Sequence, residues 1–477
     1  MYLRLLMSRK SLLKPLLVIL LYLGWVLYFS QAPVSVNPHF HNDVPITDIR
    51  IVKCCRLIPF SSCSTGKGWE RLDKDVYLGT KWFNRAFIAF RRQKSDKESF
   101  IDQIRVSRIE PRGDGWIAAQ SSDAQLWTKR TDRAGLANAI TAIDLLFGAD
   151  AVEVRQNWEL APTNSLYSAN LHLSGGNLGR CRDVEEDQQN TCEADPQTLE
   201  FVARVLDAEL PDLVVLTGDQ VNGETSPDVQ SALFKFAEPL IARSIPYVTI
   251  FGNHDDEGNL SRAEQMGIIE KLPFSLSQAG PASVDGVGNY IQTITNHNAS
   301  LHFYFLDAHK YSPDESHYPG YAWLKESQIS WFSEEAQSHS VAKDLNVVFI
   351  HIPLPEYRAH SRMVVGGVNL EPSTAPTYNS GALKAFAAAN VSLVVAGHDH
   401  ANDACLLESS YDQEVWLCYG GGSGLGGYMG KGAGARKLRI FEFDLTEMNI
   451  RTWKRLEYGD MGRVDVVDLL HKGKVVT

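Results

Sequence analysis

Short, wholly apolar segments that each end in a polar cluster are the feature of this 477-residue sequence that most constrains its fold. The clearest segments are Pro211–Thr217, Pro246–Phe251, Asn346–Ile350 and Val391–Ala396, and helical patterns separate them. Such segments are typical of strands that are buried on both faces in an α/β protein. Because strand ends at one edge of a sheet converge on a single crevice, residues distant in sequence are expected to meet there.

The residues that follow these strands are almost all imidazole, carboxylate or amide groups. They form five clusters: Asn170 and His172 in SLYSANLHL, Asp219 after PDLVVLTG, Asn253 with His254 and Asp255 after PYVTIFG, His351 after NVVFI, and His398 with His400 after VSLVVAG. Such groups suit borderline divalent metals, for example Zn, Mn or Fe. A single histidine at a strand end is ordinary, whereas five such clusters in one order predict a metal centre.

The ordered motifs resemble those of the calcineurin-like metallophosphoesterases over residues 165–445. They are GDQ at 218–220, GNHD at 252–255, the strand-end His351 and GHDH at 397–400. Further segments (CRD at 181–183, CEADP at 192–196, HIPLPEY at 351–357) resemble the fungal branch related to purple acid phosphatases, which includes the dosage-dependent cell-cycle regulator phosphatases. The resemblance implies an α/β fold, a metallophosphoesterase β-sandwich with a mixed sheet flanked by helices, preceded by an N-terminal β-rich domain.

The same resemblance implies a role for each residue of the clusters. It implies two divalent metal ions, with Mn, Fe and Zn as candidates, held by Asn170, His172, Asp219, Asn253, His351, His398 and His400. Asp219 would bridge both ions, Asn253, His351 and His398 would complete the second site, and His172 and His400 would hold the first. His254 follows a ligand and is the candidate acid that protonates the leaving oxygen.

Two positions depart from the family pattern. The first family motif is Asp-x-His, and this chain has Asn170-Leu-His172. Purple enzymes carry a tyrosine three residues after the bridging aspartate, and here that residue is Asn222. A neutral amide is a weaker ligand than a carboxylate, so two functions stay open: a two-metal phosphomonoester hydrolase, with phosphoproteins among its candidate substrates, and a pseudophosphatase that binds phospho-ligands or partners. A faulty gene model between Trp158 and Ser168 is a third explanation.

The net charge of −11 argues against general nucleic-acid binding, which requires a basic face. A phosphorylated substrate remains compatible with this charge, because bound metal ions make a site locally positive. The sequence does not indicate an oligomeric state.

The amino-terminal segment Leu16–Phe29 is almost wholly apolar, and four basic residues precede it. This pattern predicts a single-pass signal anchor that places the catalytic domain in the lumen or outside the cell. A cleaved signal peptide, which would give a secreted or vacuolar protein, and a mis-assigned start or disordered arm are the alternatives. The expected domains are 1–43 (signal segment and linker), 44–160 (β-rich) and 161–477 (metallophosphoesterase), with Leu136–Phe147 as a helical exception in the β-rich domain.

Four of the seven cysteines lie in pairs that are close in sequence. Cys181 and Cys192 flank an acidic loop, and Cys405 and Cys418 flank two expected strands. Both pairs are candidate disulfides, with free thiols as the alternative. Sequons at Asn259, Asn298 and Asn390 add the expectation of a glycoprotein.

Overall fold

The computed structural model describes residues 44–476 apart from short gaps. The gaps are 56–64, 77–83, 96–97, 107–110, 112, 120–125, 132–138, 148–150, 157, 161–178, 185, 187–189, 297–298, 340–343, 359–362 and 431–433. Two predicted ligands, Asn170 and His172, therefore lie outside the described residues.

Strands dominate the first third of the described chain, and strands and helices alternate after residue 194. The helices are α1 (Ala194–Glu209), α2 (Val229–Ile241), α3 (Arg262–Ile269), α4 (Glu326–Ser338) and α5 (Ala382–Ala388). The strands are β1 (Ile46–Cys55), β2 (Glu70–Asp75), β3 (Asn84–Arg92), β4 (Phe100–Val106), β5 (Trp116–Ala119), β6 (Leu126–Thr131), β7 (Val214–Thr217), β8 (Tyr247–Ile250), β9 (Tyr290–Thr295), β10 (Ser300–Phe305), β11 (Leu345–Ile350), β12 (Val364–Val365), β13 (Val391–Ala396), β14 (Cys405–Glu408), β15 (Val415–Tyr419), β16 (Lys437–Asp444), β17 (Asn449–Leu456), β18 (Val464–His471) and β19 (Lys474–Val475).

The amino-terminal region consists of two antiparallel three-stranded sheets, ordered β1-β3-β2 and β4-β6-β5. Their apolar faces share a core that includes Ile88 and Ile101. This region contacts the start of α2, where the buried Lys74 Nζ lies 3.2 Å from the Asp228 carboxylate. Asp228 also caps α2 by accepting the backbone N–H of Ser231. One carboxylate therefore both starts the helix and joins it to the amino-terminal sheets.

A seven-stranded mixed sheet forms the centre of the molecule, in the order β12-β14-β15-β13-β11-β10-β9. Strands β15, β13, β11 and β10 are parallel to one another, and the outer strands pair antiparallel. Successive residues of β11 alternate between two cores: Val348 faces the core that contains Phe332 and Phe386 of α4 and α5, whereas Val347 faces the other. Burial on both faces explains why this strand is apolar throughout.

The second face of the central sheet is covered by other strands. The parallel pair β7-β8 and the antiparallel sheet β16-β17-β18-β19 supply Ile250, Ile450 and Leu469 to the shared core. Helices α1, α2 and α3 then cover the outer side of β7 and β8. The result is an α/β/β/α sandwich, which confirms the predicted fold class of a metallophosphoesterase β-sandwich flanked by helices after a β-rich region.

The carboxyl-terminal sheet is joined to the centre by buried polar contacts. The Asp403 carboxylate lies 2.8 Å from the Nζ atoms of both Lys437 and Lys454. The indole N–H of Trp416 on β15 donates to the carbonyl of Leu469 on β18 at 2.8 Å. These contacts are buried, so breaking one would leave an unsatisfied polar group in the interior.

Two predictions from the sequence are wrong. No helix in the described part of the chain is long and apolar enough to cross a membrane. On this finding the predicted signal anchor, the membrane contact and the localisation built on them are withdrawn; Leu16–Phe29 itself lies outside the described residues. Residues 139–147 are not helical either, because the backbone of Ile140 bonds to Ile46 and Ile101 of neighbouring strands.

Both predicted cysteine pairs are bridged. Cys181 joins Cys192, and Cys405 joins Cys418. The second bridge links residues that lie directly opposite each other on the antiparallel strands β14 and β15.

Candidate metal centre

The candidate centre begins with Asp219, which follows β7 in a strained backbone turn. Its φ is 54°, in the left-handed region that non-glycine residues rarely occupy. His398, which follows β13, has a φ of 70°. Strain of this kind persists only where the surrounding structure enforces it, and it is concentrated at functional sites. Both strained residues belong to the predicted ligand set.

His351, at the end of β11, is oriented by the strand beside it. Its Nδ1 lies 2.8 Å from the carbonyl oxygen of Thr217, so Nδ1 carries the proton and donates it. In the neutral ring, the other nitrogen, Nε2, has a free lone pair. Nε2 lies 3.1 Å from Asp219 Oδ2, 3.2 Å from Asn253 Oδ1 and 3.2 Å from His398 Nδ1.

These four atoms form a set that fits a bound cation. A carboxylate oxygen, an amide oxygen and two imidazole nitrogens converge, and in the neutral state of the rings the lone pair of His351 Nε2 faces acceptors. Ligand atoms of Asp219, His351 and His398 all lie within 4.8 Å of one another. Nitrogen and oxygen donors in this arrangement suit borderline divalent ions. The side chains present thus match the chemistry that the resemblance implies.

His400 lies beside the cluster but is not within that 4.8 Å group. Its Nδ1 donates to the carbonyl oxygen of Tyr428 at 2.7 Å, and its ring stacks on the Tyr428 ring with 4.5 Å between centroids. The glycine-rich loop at residues 420–427 packs closely on His400, since a Cβ at Gly427 would lie 2.6 Å from His400 Cε1. His400 Nε2 is therefore the nitrogen left available for a ligand.

Protonation in the cluster follows from burial and from neighbouring charge. Burial alone would raise the pKa of Asp219, but His351 and a backbone N–H group lower it well below its usual range. Burial alone would lower the pKa of His351, but the neighbouring Asp219 carboxylate has the larger effect, so the pKa of His351 is raised. Burial and then His351 lower the pKa of His398 to about 3. Asp219 ionised and His398 neutral are the states that metal ligation requires.

Asp255 holds together the two loops that follow β7 and β8. Its buried carboxylate accepts the backbone N–H groups of Asp219, Val221 and Gly252 at 2.7 to 3.0 Å. Burial and the charge of Asp219 raise the pKa of Asp255 to about 6. The buried Arg262 also holds the loop that follows β8, since its guanidinium donates to the carbonyl oxygen of Gly252 at 2.7 Å.

His254, the predicted acid, is oriented by a residue that the sequence interpretation missed. Its Nδ1 lies 2.7 Å from Oε2 of Glu257, and its side chain is 44% exposed. Asp255, the residue that follows His254, instead accepts backbone N–H groups. The acidic run Asp255-Asp256-Glu257 directly after the motif was the available signal, but a run of three carboxylates does not reveal which one meets the histidine.

A cavity of about 320 Å³ lies over these residues and is lined by Asp219, His254, His398 and His400. Arg182 also lines it. The described residues thus bring five of the seven predicted ligands and the predicted acid to one region.

The fold and this site define a metallophosphoesterase. A family model described as "Calcineurin-like phosphoesterase" matches residues 181–402. Probable inactive purple acid phosphatase 29 of Arabidopsis thaliana is 34% identical over an alignment of 334 positions, which covers 63% of this chain and 84% of the plant protein. The chain therefore belongs to the calcineurin-like phosphoesterase family and is similar to plant purple acid phosphatases.

Two fungal relatives are similar over different lengths. Phosphatase DCR2 of Saccharomyces cerevisiae is 44% identical over an alignment of 305 positions, which covers 60% of this chain and 52% of the yeast protein. An uncharacterized protein of Schizosaccharomyces pombe is 28% identical over 493 residues, covering 92% of this chain and 91% of its own length. The chain thus matches about half the length of DCR2 and nearly all of the fission yeast protein.

Proposed function

We propose that the chain is a phosphomonoester hydrolase that uses two divalent metal ions, with Asp219, Asn253, His351 and His398 at one site and Asn170, His172, Asp219 and His400 at the other. The observation that carries this proposal is the convergence of ligand atoms from Asp219, His351 and His398 within 4.8 Å. Bound divalent ions polarise phosphoryl oxygens and make water more acidic.

The residues of the chain supply the remaining functions. Glu257 holds His254 through Nδ1, which leaves Nε2 free to give a proton to the leaving oxygen. Arg182 lines the same cavity and offers a planar donor to the phosphate group. Asp255 keeps Asp219 in its strained turn, and the Gly252 loop beside it, by accepting their backbone N–H groups.

The test is metal analysis of the purified full chain beside phosphate release from an aryl phosphate. We expect at least one divalent ion per chain, phosphate release, and loss of that release on chelation with recovery on addition of Mn or Zn. Absence of bound metal after reconstitution with either ion would contradict the proposal.

A pseudophosphatase is the second candidate, and Asn170 is the observation that favours it. An amide at this position removes a negative charge beside a dication, and charged ligands bind cations more strongly than neutral dipoles do. We expect Asn170→Asp to raise metal affinity and to raise turnover if the first site limits the reaction. Tighter metal binding without turnover would favour the pseudophosphatase. No change in either quantity would show that Asn170 is not a ligand.

A further inference from the structure

We infer that two stacked tyrosines beside the candidate metal centre bind the leaving group of the substrate, and that this leaving group carries an aromatic ring. The inference rests on the proposed function and extends it by naming a substrate class. The two residues, Tyr311 and Tyr321, are called the tyrosine wall below.

The tyrosine wall extends outward from a candidate ligand. The ring of Tyr321 meets the ring of His398 edge to face, with 4.4 Å between centroids and 85° between planes. The ring of Tyr311 stacks on Tyr321 with 5.8 Å between centroids and 23° between planes. A phosphate bound at His398 would therefore place the group attached to its ester oxygen beside these two rings.

One carboxylate holds the wall and the candidate acid together. Tyr311 donates its hydroxyl proton to Glu257 Oε1 at 3.2 Å, and the other Glu257 oxygen holds His254 Nδ1 at 2.7 Å. The wall thus lies on the side of the site where the leaving oxygen receives its proton. Lys310 Nζ, 5.6 Å from the Tyr311 centroid, is held nearby through Asp256 at 3.3 Å.

The wall is fixed in place before any ligand binds. Tyr311 and Tyr321 form an antiparallel bridge across their loop. Tyr318 in the same loop packs on Trp323 and Tyr378 with centroid distances of 5.6 and 4.9 Å. Tyr311 nevertheless remains 51% exposed, so the core does not account for its position. A rigid, exposed ring can bind another ring at little entropic cost.

The chemistry that fits is a phosphate monoester whose leaving group contains a planar aromatic ring. A phosphotyrosine side chain and a nucleoside monophosphate both have this chemistry. An offset ring stack improves binding by about threefold to tenfold over an equally large non-aromatic group.

The test uses two phosphonates that resist hydrolysis, benzylphosphonate and cyclohexylmethylphosphonate, whose charge and size match and whose rings differ in planarity. Binding to the metal-loaded full chain is measured by calorimetry. We expect benzylphosphonate to bind about threefold to tenfold more tightly. Tyr311→Leu and Tyr321→Leu should each reduce this ratio toward one, whereas Tyr311→Phe, which keeps the ring, should preserve it.

Phe274→Leu is the matched control. Phe274 is 43% exposed and lies near the start of β8, at the end opposite to the site, so this substitution should leave the ratio unchanged. Equal binding of the two phosphonates, a ratio unaffected by Tyr311→Leu and Tyr321→Leu, or no binding of either would overturn the inference.

Phosphate release from an aryl phosphate by the same preparation shows whether the proposed function survives that result. Values of kcat/KM for a phosphotyrosine peptide and a nucleoside 5′-monophosphate distinguish the two sources of the ring.

Discussion

The buried carboxylate of Asp255 accepts the backbone N–H group of Asp219, with 2.8 Å between Oδ2 and the nitrogen. The same oxygen accepts the N–H of Gly252 at 2.7 Å. Two loops that follow neighbouring parallel strands are therefore joined through one side chain that makes no contact with substrate in the proposed mechanism. The position of Asp219 depends on this support.

Asp255→Asn should destabilise the protein and weaken metal binding together. An amide keeps one acceptor oxygen and turns an NH2 group toward backbone donors, which costs about 1–3 kcal/mol in the interior. Urea unfolding and a metal titration measure the two effects. Asp256→Asn is the control, because the Asp256 side chain is 27% exposed and pairs with the side chains of Arg262 and Lys310. It does not accept the backbone N–H groups that Asp255 accepts. Equal effects of the two substitutions would contradict a special role for Asp255.

Gly252→Ala should abolish metal binding at the candidate centre. A Cβ at Gly252 would lie 2.2 Å from Asp219 Oδ1 and 2.5 Å from the Asp219 backbone nitrogen, so the ligand would have to move. Gly267→Ala is a matched control in α3, where a Cβ would meet nothing within 4 Å. That control should stabilise the chain by about 0.4–1 kcal/mol. Metal content decides the outcome, and normal metal content in Gly252→Ala would refute the geometry of the centre.

His254→Ala should reduce turnover on the order of 100-fold for alkyl phosphates and much less for activated aryl phosphates, because only a poor leaving group needs a proton. Glu257→Gln should show the same pattern more weakly, since it leaves His254 in place without its charged partner. Steady-state kinetics on matched alkyl and aryl esters measure this difference. Equal losses on both esters, or loss of metal, would remove His254 from the role of acid.

His309 should make stability depend on pH. Burial lowers the pKa of His309, and this outweighs Asp307 and the hydrogen bond to Gln328, while Lys325 and Arg262 lower it further. Below about pH 6.5 the unfolded chain binds a proton that the native chain does not, so stability decreases as pH falls toward the lowered native pKa.

Replacement of His309 isolates this effect. His309→Asn should remove a pH dependence of the unfolding free energy that amounts to at most about 1.4 kcal/mol per pH unit. Asparagine suits this position because it tolerates the native φ of 63°. Unfolding free energies of both proteins between about pH 7.5 and pH 5.5 measure it. Parallel pH curves for the two proteins would show that His309 does not contribute.

The strand-end motifs were predictable because their signal is local. Each buried strand is a continuous apolar run, and the polar group follows within a few residues, as for β11 and His351. The helical period of α1 and the proline that follows Asp195 in its first turn are local signals of the same kind. Such features depend on neighbouring residues alone, so a single sequence reveals them.

The contacts that orient the site residues could not be predicted, because they join residues that are far apart in the sequence. Tyr321 meets His398 across 77 positions, and Tyr311 meets Glu257 across 54 positions, with no repeated spacing that would reveal either pair. The segment near Ile140 has a helical period, but its backbone hydrogen bonds go to Ile46 and Ile101 and it is not helical. Tertiary contacts there outweigh local preference.

The bond from Trp416 to Leu469 sets a limit on how far the chain can be shortened. The family match ends at residue 402, yet β14 and β15, and the sheet that covers them, follow it. A chain cut at that boundary would lose two strands of the central sheet and expose the face that Ile450 and Leu469 cover. A chain cut after β17 would remove both the acceptor of the Trp416 indole N–H and the apolar cover that Leu469 provides. The smallest stable fragment that contains the candidate metal centre therefore extends through β18.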